Sequence, residues 1–136
     1  MSEGRDFEDL GGGKLSGVCF VMDYVELHFH GPVLRCLSSP VVIAGDSRIE
    51  FPATGSRDAL CALIDRVVEV AEDAPDRLVV RFGDDLAVEV PKASEDAGPE
   101  IAHFVPIRDG APDVASMMIW ENLIPTPRDS PGSGMS

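Results

Sequence analysis

The chain has 136 residues, 44% of them hydrophobic and only 6% aromatic, and a net charge of −13. That length supports one domain and is too short for two ordinary ones, and no apolar run approaches the ~20 residues that span a bilayer. The charge disfavours nucleic acid and anionic membranes, both polyanions, and allows a basic partner that would associate faster at low salt.

In chain order, residues 1–16 carry Gly11-Gly12-Gly13 and the acids Glu3, Asp6, Glu8 and Asp9, with little apolar patterning. They read as a flexible arm that lacks the apolar core of a signal peptide. A soluble, cytoplasmic protein is therefore expected. Cys19, Cys36 and Cys61 agree with that setting: an odd number, widely spaced, each beside apolar residues, and read as buried free thiols. The folded domain is expected over 17–124.

Val18, Phe20 and Met22 share one parity, and Val25, Leu27 and Phe29 the other. A strand alternates sides with period two, so the chain must turn or bulge at Asp23-Tyr24. His30-Gly31-Pro32 makes the next turn, and Val33 to Leu37 returns. Pro40 interrupts, Val41 to Ile43 form a short strand, and Gly45-Asp46-Ser47 turns toward Ile49 and Phe51. A short helix follows, with Ser56 as N-cap and Asp58 in its first turn. Leu60, Leu63, Ile64 and Val67 give it an i, i+3, i+4, i+7 stripe for one face of a sheet.

The next strands are Val67 to Val70, Leu78 to Phe82 and Leu86 to Val90, with turns at Asp73-Ala74-Pro75-Asp76 and Gly83-Asp84-Asp85. Residues 92–99 are a polar loop. Ile101 to Ile107 and Ser116 to Trp120 are two further strands, linked through the Asp109-Gly110 turn dipeptide. Residues 125–136, rich in Pro, Ser and Gly, read as a disordered tail. Val25–Leu37 and Leu78–Val90 look like one strand–turn–strand unit written twice. The expected fold is α+β and mostly β: antiparallel sheet or sheets from two pseudo-repeated hairpin units, with one short helix and eight to ten strands.

Candidate chemistry is sparse. His28 and His30 sit two apart, which on a strand puts both imidazoles on one face beside Glu26, with His103 the third histidine of the chain. Such a set suits zinc, nickel or iron. It resembles the His-x-His of cupins, although Leu34 and Arg35 stand where that pattern has Glu. Neither a base beside Cys61 nor a nucleophile elbow around Ser38-Ser39 or Ser116 is visible. Gly11-Gly12-Gly13-Lys14 lacks the spacing of a phosphate loop. No enzyme activity and no cofactor are expected. The acids Glu69, Glu72, Asp73, Asp76, Asp84 and Asp85, with Trp120 as an aromatic anchor, form the candidate partner-binding set.

A pattern close to Leu-x-Leu-x-Phe, a Gly/Asp turn, then Leu-x-Val is clearest over Leu78–Val90 (Leu78, Val80, Phe82) and recurs over Val25–Leu37 (Val25, Leu27, Phe29), followed by a strand holding Trp120. On these residues the chain resembles a class of small bacterial β-rich proteins without assigned roles, some of them similar to immunity proteins that neutralise toxins. His30-Gly31-Pro32 departs from the pattern, where an acidic turn is expected. The resemblance implies a fold and carries over no functional residue. Three functional expectations result. The first is a non-enzymatic, immunity-like interaction protein with a basic partner. The second is a small metal- or ligand-binding β domain using His28, His30 and His103. The third is a structural subunit that forms a homo-oligomer.

Overall fold

A computed structural model describes residues 6–22, 24–83 and 85–124. The fold is mostly β, with antiparallel sheets and one short helix, as the alternation of the sequence implies. β1 (Gly17–Val21), β2 (Tyr24–His28), β3 (Val33–Cys36), β9 (Glu100–Val105) and β12 (Met118–Glu121) form one sheet in the order β1-β2-β3-β9-β12. β4 (Val41–Ala44), β5 (Ser47–Glu50), β6 (Val70–Asp73), β7 (Arg77–Arg81) and β8 (Leu86–Pro91) form the second, in the order β5-β4-β8-β7-β6. β10 (Ile107–Arg108) and β11 (Ala111–Pro112) make a small hairpin. The helix α1 spans Ser56–Cys61, and 3-10 turns occupy Phe7–Leu10 and Val114–Ser116.

The registers explain why these strands bury what they do. In the first sheet Leu27 lies opposite Leu34, Leu34 opposite Phe104, and Phe104 opposite Met118. The neighbouring row is Val25, Cys36, Ala102 and Trp120. In the second sheet Val42, Val88, Val80 and Ala71 align in the same way. Both sets belong to one apolar cluster, so the sheets pack face to face as a sandwich. Leu27, Leu34, Phe104, Val80 and Val88 have no exposed surface. Burying a side chain of this kind stabilises by about 1.5–3 kcal/mol.

The two sheets also share a connectivity. Each contains a three-stranded meander, β1-β2-β3 or β6-β7-β8. After each meander the chain crosses to the other sheet and pairs there with the last strand of the other meander: β4 with β8, β9 with β3. The segments leading into the meanders cross each other. The Leu15 N–H donates to the Arg66 carbonyl, and the Val68 N–H to the Gly13 carbonyl. The Gly12 N–H donates to the Val68 carbonyl, and the Asp65 N–H to the Leu15 carbonyl. Exchanging the two segments at the 53-residue offset from Leu15 to Val68 turns either bond of each pair into the other, with Leu15 becoming Val68 and Arg66 becoming Gly13. Gly12 and Asp65, which correspond in this way, both take positive φ, 90° and 79°.

The correspondence fails at the second strand of each hairpin. The Phe29 N–H bonds to the carbonyl of Pro32, but the Phe82 N–H bonds to that of Leu86, one residue further on. A one-residue slip exchanges the faces of a strand. Leu34 and Cys36 therefore point inward from β3, whereas the equal spacing read from sequence would select Val33, Arg35 and Leu37.

Three expectations need correction. Residues 6–16 are not a free arm: Phe7, Leu10 and Leu15 are buried, and the Phe7 ring stands edge-on to Phe104 and Trp120 at 6.0 and 5.7 Å. The N-cap of α1 is Gly55 (φ 88°) and not Ser56, which is the buried first residue of the helix. The helix is also shorter than its stripe, because the Leu63 N–H bonds to Leu60 and Asp65 turns left-handed. Leu60 and Leu63 are buried, while Ile64 and Val67 are exposed. The expected tail at 125–136 lies outside the described residues.

Candidate functional site

The acidic set does not form one patch, because the strands that carry it run between two ends of the second sheet. Val70 pairs with Arg81 and Asp73 with Leu78, so Glu69 lies at the end where β7 passes toward β8 and Asp73 lies at the other. Asp85 is at the Glu69 end, where its carbonyl accepts the Gly45 N–H and the neighbouring Asp46 is exposed. Among the described residues Asp46, Glu69 and Asp85 form no ion pair within 4 Å. Glu72, on β6, is exposed and likewise forms no ion pair among the described residues. Asp84 lies outside the described residues.

At the other end the acids are engaged. Asp76 meets Arg77 at 3.0 Å, and Asp73 is joined to Lys92. The second oxygen of Asp73 accepts the Trp120 indole N–H at 3.1 Å. Trp120 thus closes the β12–β6 edge of the sandwich, with its ring against Phe7, and is not presented as a free anchor. On the outer face of this sheet Glu89 lies between Arg48 (3.6 Å) and Arg77 (3.3 Å), over a recess lined by Val41 and Pro91.

The histidines are held apart. His28 ends β2 and its Nε2 donates to Glu26 at 3.1 Å, while Arg35 stands 3.6 Å from the same carboxylate. His30 is in the turn, exposed, with φ 54°, so it does not continue the face of His28. His103 is on β9 opposite Arg35, and its Nε2 donates to Glu100 at 2.6 Å. Among the described residues His, Cys, Asp and Glu form no group of three or more that could hold a metal. Of the thiols only Cys36 is buried, and burial pushes its pKa up to about 12; Cys19 and Cys61 are exposed. Both depart from the expectation of buried cysteines, since β1 is an edge strand and Cys61 ends a helix off its apolar stripe.

Sequence reading missed a concavity. A cleft of about 650 Å³ opens at the β1–β5 edge, between the β1–β2 turn, the end of β3, the Phe51-Pro52 segment, α1 and the 94–100 loop. That is the size range of small-ligand sites. Phe51 lines it and stacks on Phe20, the rings 5.8 Å apart and 16° from parallel. The Arg57 guanidinium lies against both rings, 5.5 Å from the Phe20 centroid and 5.1 Å from that of Phe51. Lys14, Arg35, Arg48, Arg77, Lys92 and Arg108 each have a carboxylate within 4 Å, whereas Arg57, like Arg66 and Arg81, has none among the described residues. Across the same cleft stand Asp96 and Glu100.

One side chain shapes the far wall. The Asn122 amide nitrogen donates to the carbonyls of Ser94 (2.7 Å) and Gly98 (2.9 Å), and its oxygen accepts the N–H groups of Ser94 (3.2 Å) and Ile124 (3.0 Å). A polar loop without strand partners needs such bonds to hold one shape. No local motif marks Asn122; a lone amide directly after a strand is its only sequence signal. Compared with protein families, curated proteins and solved structures, the chain matches none of them.

Proposed function

We propose that this protein is a non-enzymatic binding protein, an acidic module that captures a basic protein partner in the manner of an immunity-like inhibitor. One observation carries the reading. At the β7–β8 end of the second sheet Asp46, Glu69 and Asp85 are exposed and form no ion pair among the described residues. The opposite end of the same sheet neutralises its acids with Lys92 and Arg77. A chain with 24 acids and 11 bases has its bases in short supply, and Arg81, the base that β7 brings to this end, forms no ion pair with these acids among the described residues. Like charges held together in the free protein repel, and a basic surface relieves that repulsion on binding.

The test is capture from host lysate at low and at high salt, followed by identification of what is retained. A basic protein held at low salt, weakened by high salt and lost when Asp46, Glu69 and Asp85 are changed together to Lys supports the reading. Retention indifferent to salt and to the charge reversal refutes it.

A further inference from the structure

The cleft at the β1–β5 edge has its charges arranged across a gap. Arg57 and the pair Asp96 and Glu100 line the same space, yet no ion pair within 4 Å joins Arg57 to either acid. Arg57 is held in place by Phe20 and Phe51, whose ring faces attract its cation and leave its N–H edges free. A guanidinium fixed in this way presents paired donors that match a carboxylate. Opposite it, Glu100 is anchored by His103 and Asp96 projects from the loop that Asn122 fastens. Ser38 is spent on the Pro91 carbonyl, so the Tyr24 and Ser39 hydroxyls are the neutral polar groups at the near wall.

We propose that this cleft binds the α-carboxylate and cationic side chain of a basic amino acid, as the free molecule or as the carboxyl-terminal residue of a polypeptide. The carboxylate lies on the Arg57 guanidinium, and the side-chain cation reaches Asp96 and Glu100. A site that fixes both ends selects against molecules lacking either charge, because the unmatched protein group would be desolvated without a partner. The cleft lies at the Val41 end of β4 and the unpaired acids at its Ala44 end, so this site stands independently of the basic-partner reading.

The test is a titration of isotope-labelled full-length protein, followed by amide NMR shifts, with four probes. These are L-arginine, argininamide (no carboxylate), L-norvaline (no side-chain cation) and a short peptide ending in arginine with a free carboxylate. The expected result is saturable shifts at Tyr24, Ser39, Arg57 and Ala97 with L-arginine, the peptide or both. Binding should weaken about tenfold or more for argininamide and norvaline, and by a similar factor in Arg57→Ala and in Asp96→Asn with Glu100→Gln. Arg57→Lys keeps the charge without the fork and should fall between wild type and Arg57→Ala, which covers the case in which removing the side chain disturbs the fold. Tighter binding of the peptide than of arginine assigns the site to a polypeptide end; equal binding assigns it to the free amino acid. Equal affinity for arginine and argininamide, shifts confined to other surfaces, or no saturable shift with either arginine or the peptide overturns the proposal.

Discussion

At the β12–β6 edge of the sandwich, Trp120 is hydrogen-bonded to Asp73, Asp73 is joined to Lys92, and Phe7 fills the space behind. At the β1–β5 edge, Phe20 and Phe51 stack beneath Arg57, Leu60 of the same helix is buried in the core, and the cleft remains open. The strand order and the crossing segments are alike on the two sides. The difference lies in what the last polar group does: Asp73 uses both oxygens inside the fold, whereas Arg57 keeps its donors for something outside it. Two edges raised on one plan can thus be finished as a seam and as a mouth.

Four experiments break or sharpen this contrast. The largest effects belong to the plugs behind each edge. Phe7→Ala should cost about 3–5 kcal/mol and Leu60→Ala about 2–5, read from urea unfolding. A Phe7→Ala variant as stable as wild type would remove residues 6–16 from the core and with them the seam.

Next is Cys36, which lies in the inner row of the first sheet, away from either edge. Its folded pKa is raised from 9.0 to about 12 by burial. Above the unfolded value the unfolded chain loses this proton and the folded chain keeps it, so stability falls as pH rises from 9.0 toward 12. The contribution is about 1.4 kcal/mol per pH unit. Cys36→Ala should remove that slope, as measured by chemical denaturation at pH 9 and pH 11. Native protein should also react with thiol reagents at Cys19 and Cys61 before Cys36; the reverse order contradicts the burial.

Smaller effects separate the polar finishes themselves. Asp73→Ala leaves the Trp120 N–H and Lys92 without their acceptor and should cost about 1–3 kcal/mol. Arg57→Ala loses only a solvent-facing cation–π contact and should cost about 0.5–1 kcal/mol. Equal costs would erase the distinction between seam and mouth. The most local change is Asn122→Ala, which should raise hydrogen exchange at Ser94 to Gly98 by an order of magnitude or more while leaving β7 and β8 protected.

Much of the scaffold was legible in sequence, because apolar alternation is a local signal. The strands around Leu27, Val80, Val88 and Phe104 lie where that alternation puts them. What escaped depends on contacts distant in sequence. Phe7 and Leu10 look like isolated apolar residues in a Gly-rich segment until Trp120 and Phe104 meet them. The length of the turn at 83–85 looks equivalent to that at 30–32, yet its extra residue changes which side of the following strand faces inward. The acids Asp73 and Asp76 read as one group with Glu69, although a strand carries them to opposite ends. Arg57 had no periodic role on α1, and only the folded pair of Phe20 and Phe51 gives it one. The histidine pair is split for a local reason, the left-handed backbone at His30, which no alternation pattern reveals.

The exchange of strands between the two sheets bears on how the chain is made. β4 finds its inner neighbour only when β8 has been synthesised, and β3 waits for β9; Val33 must meet Val105. A nascent chain ending before β8 therefore leaves both β3 and β4 with one edge unpaired. Closure is a late event that commits both sheets together, which favours slow, all-or-none assembly over stepwise growth. On this account the ribosome must deliver almost the whole domain before its first half can come to rest.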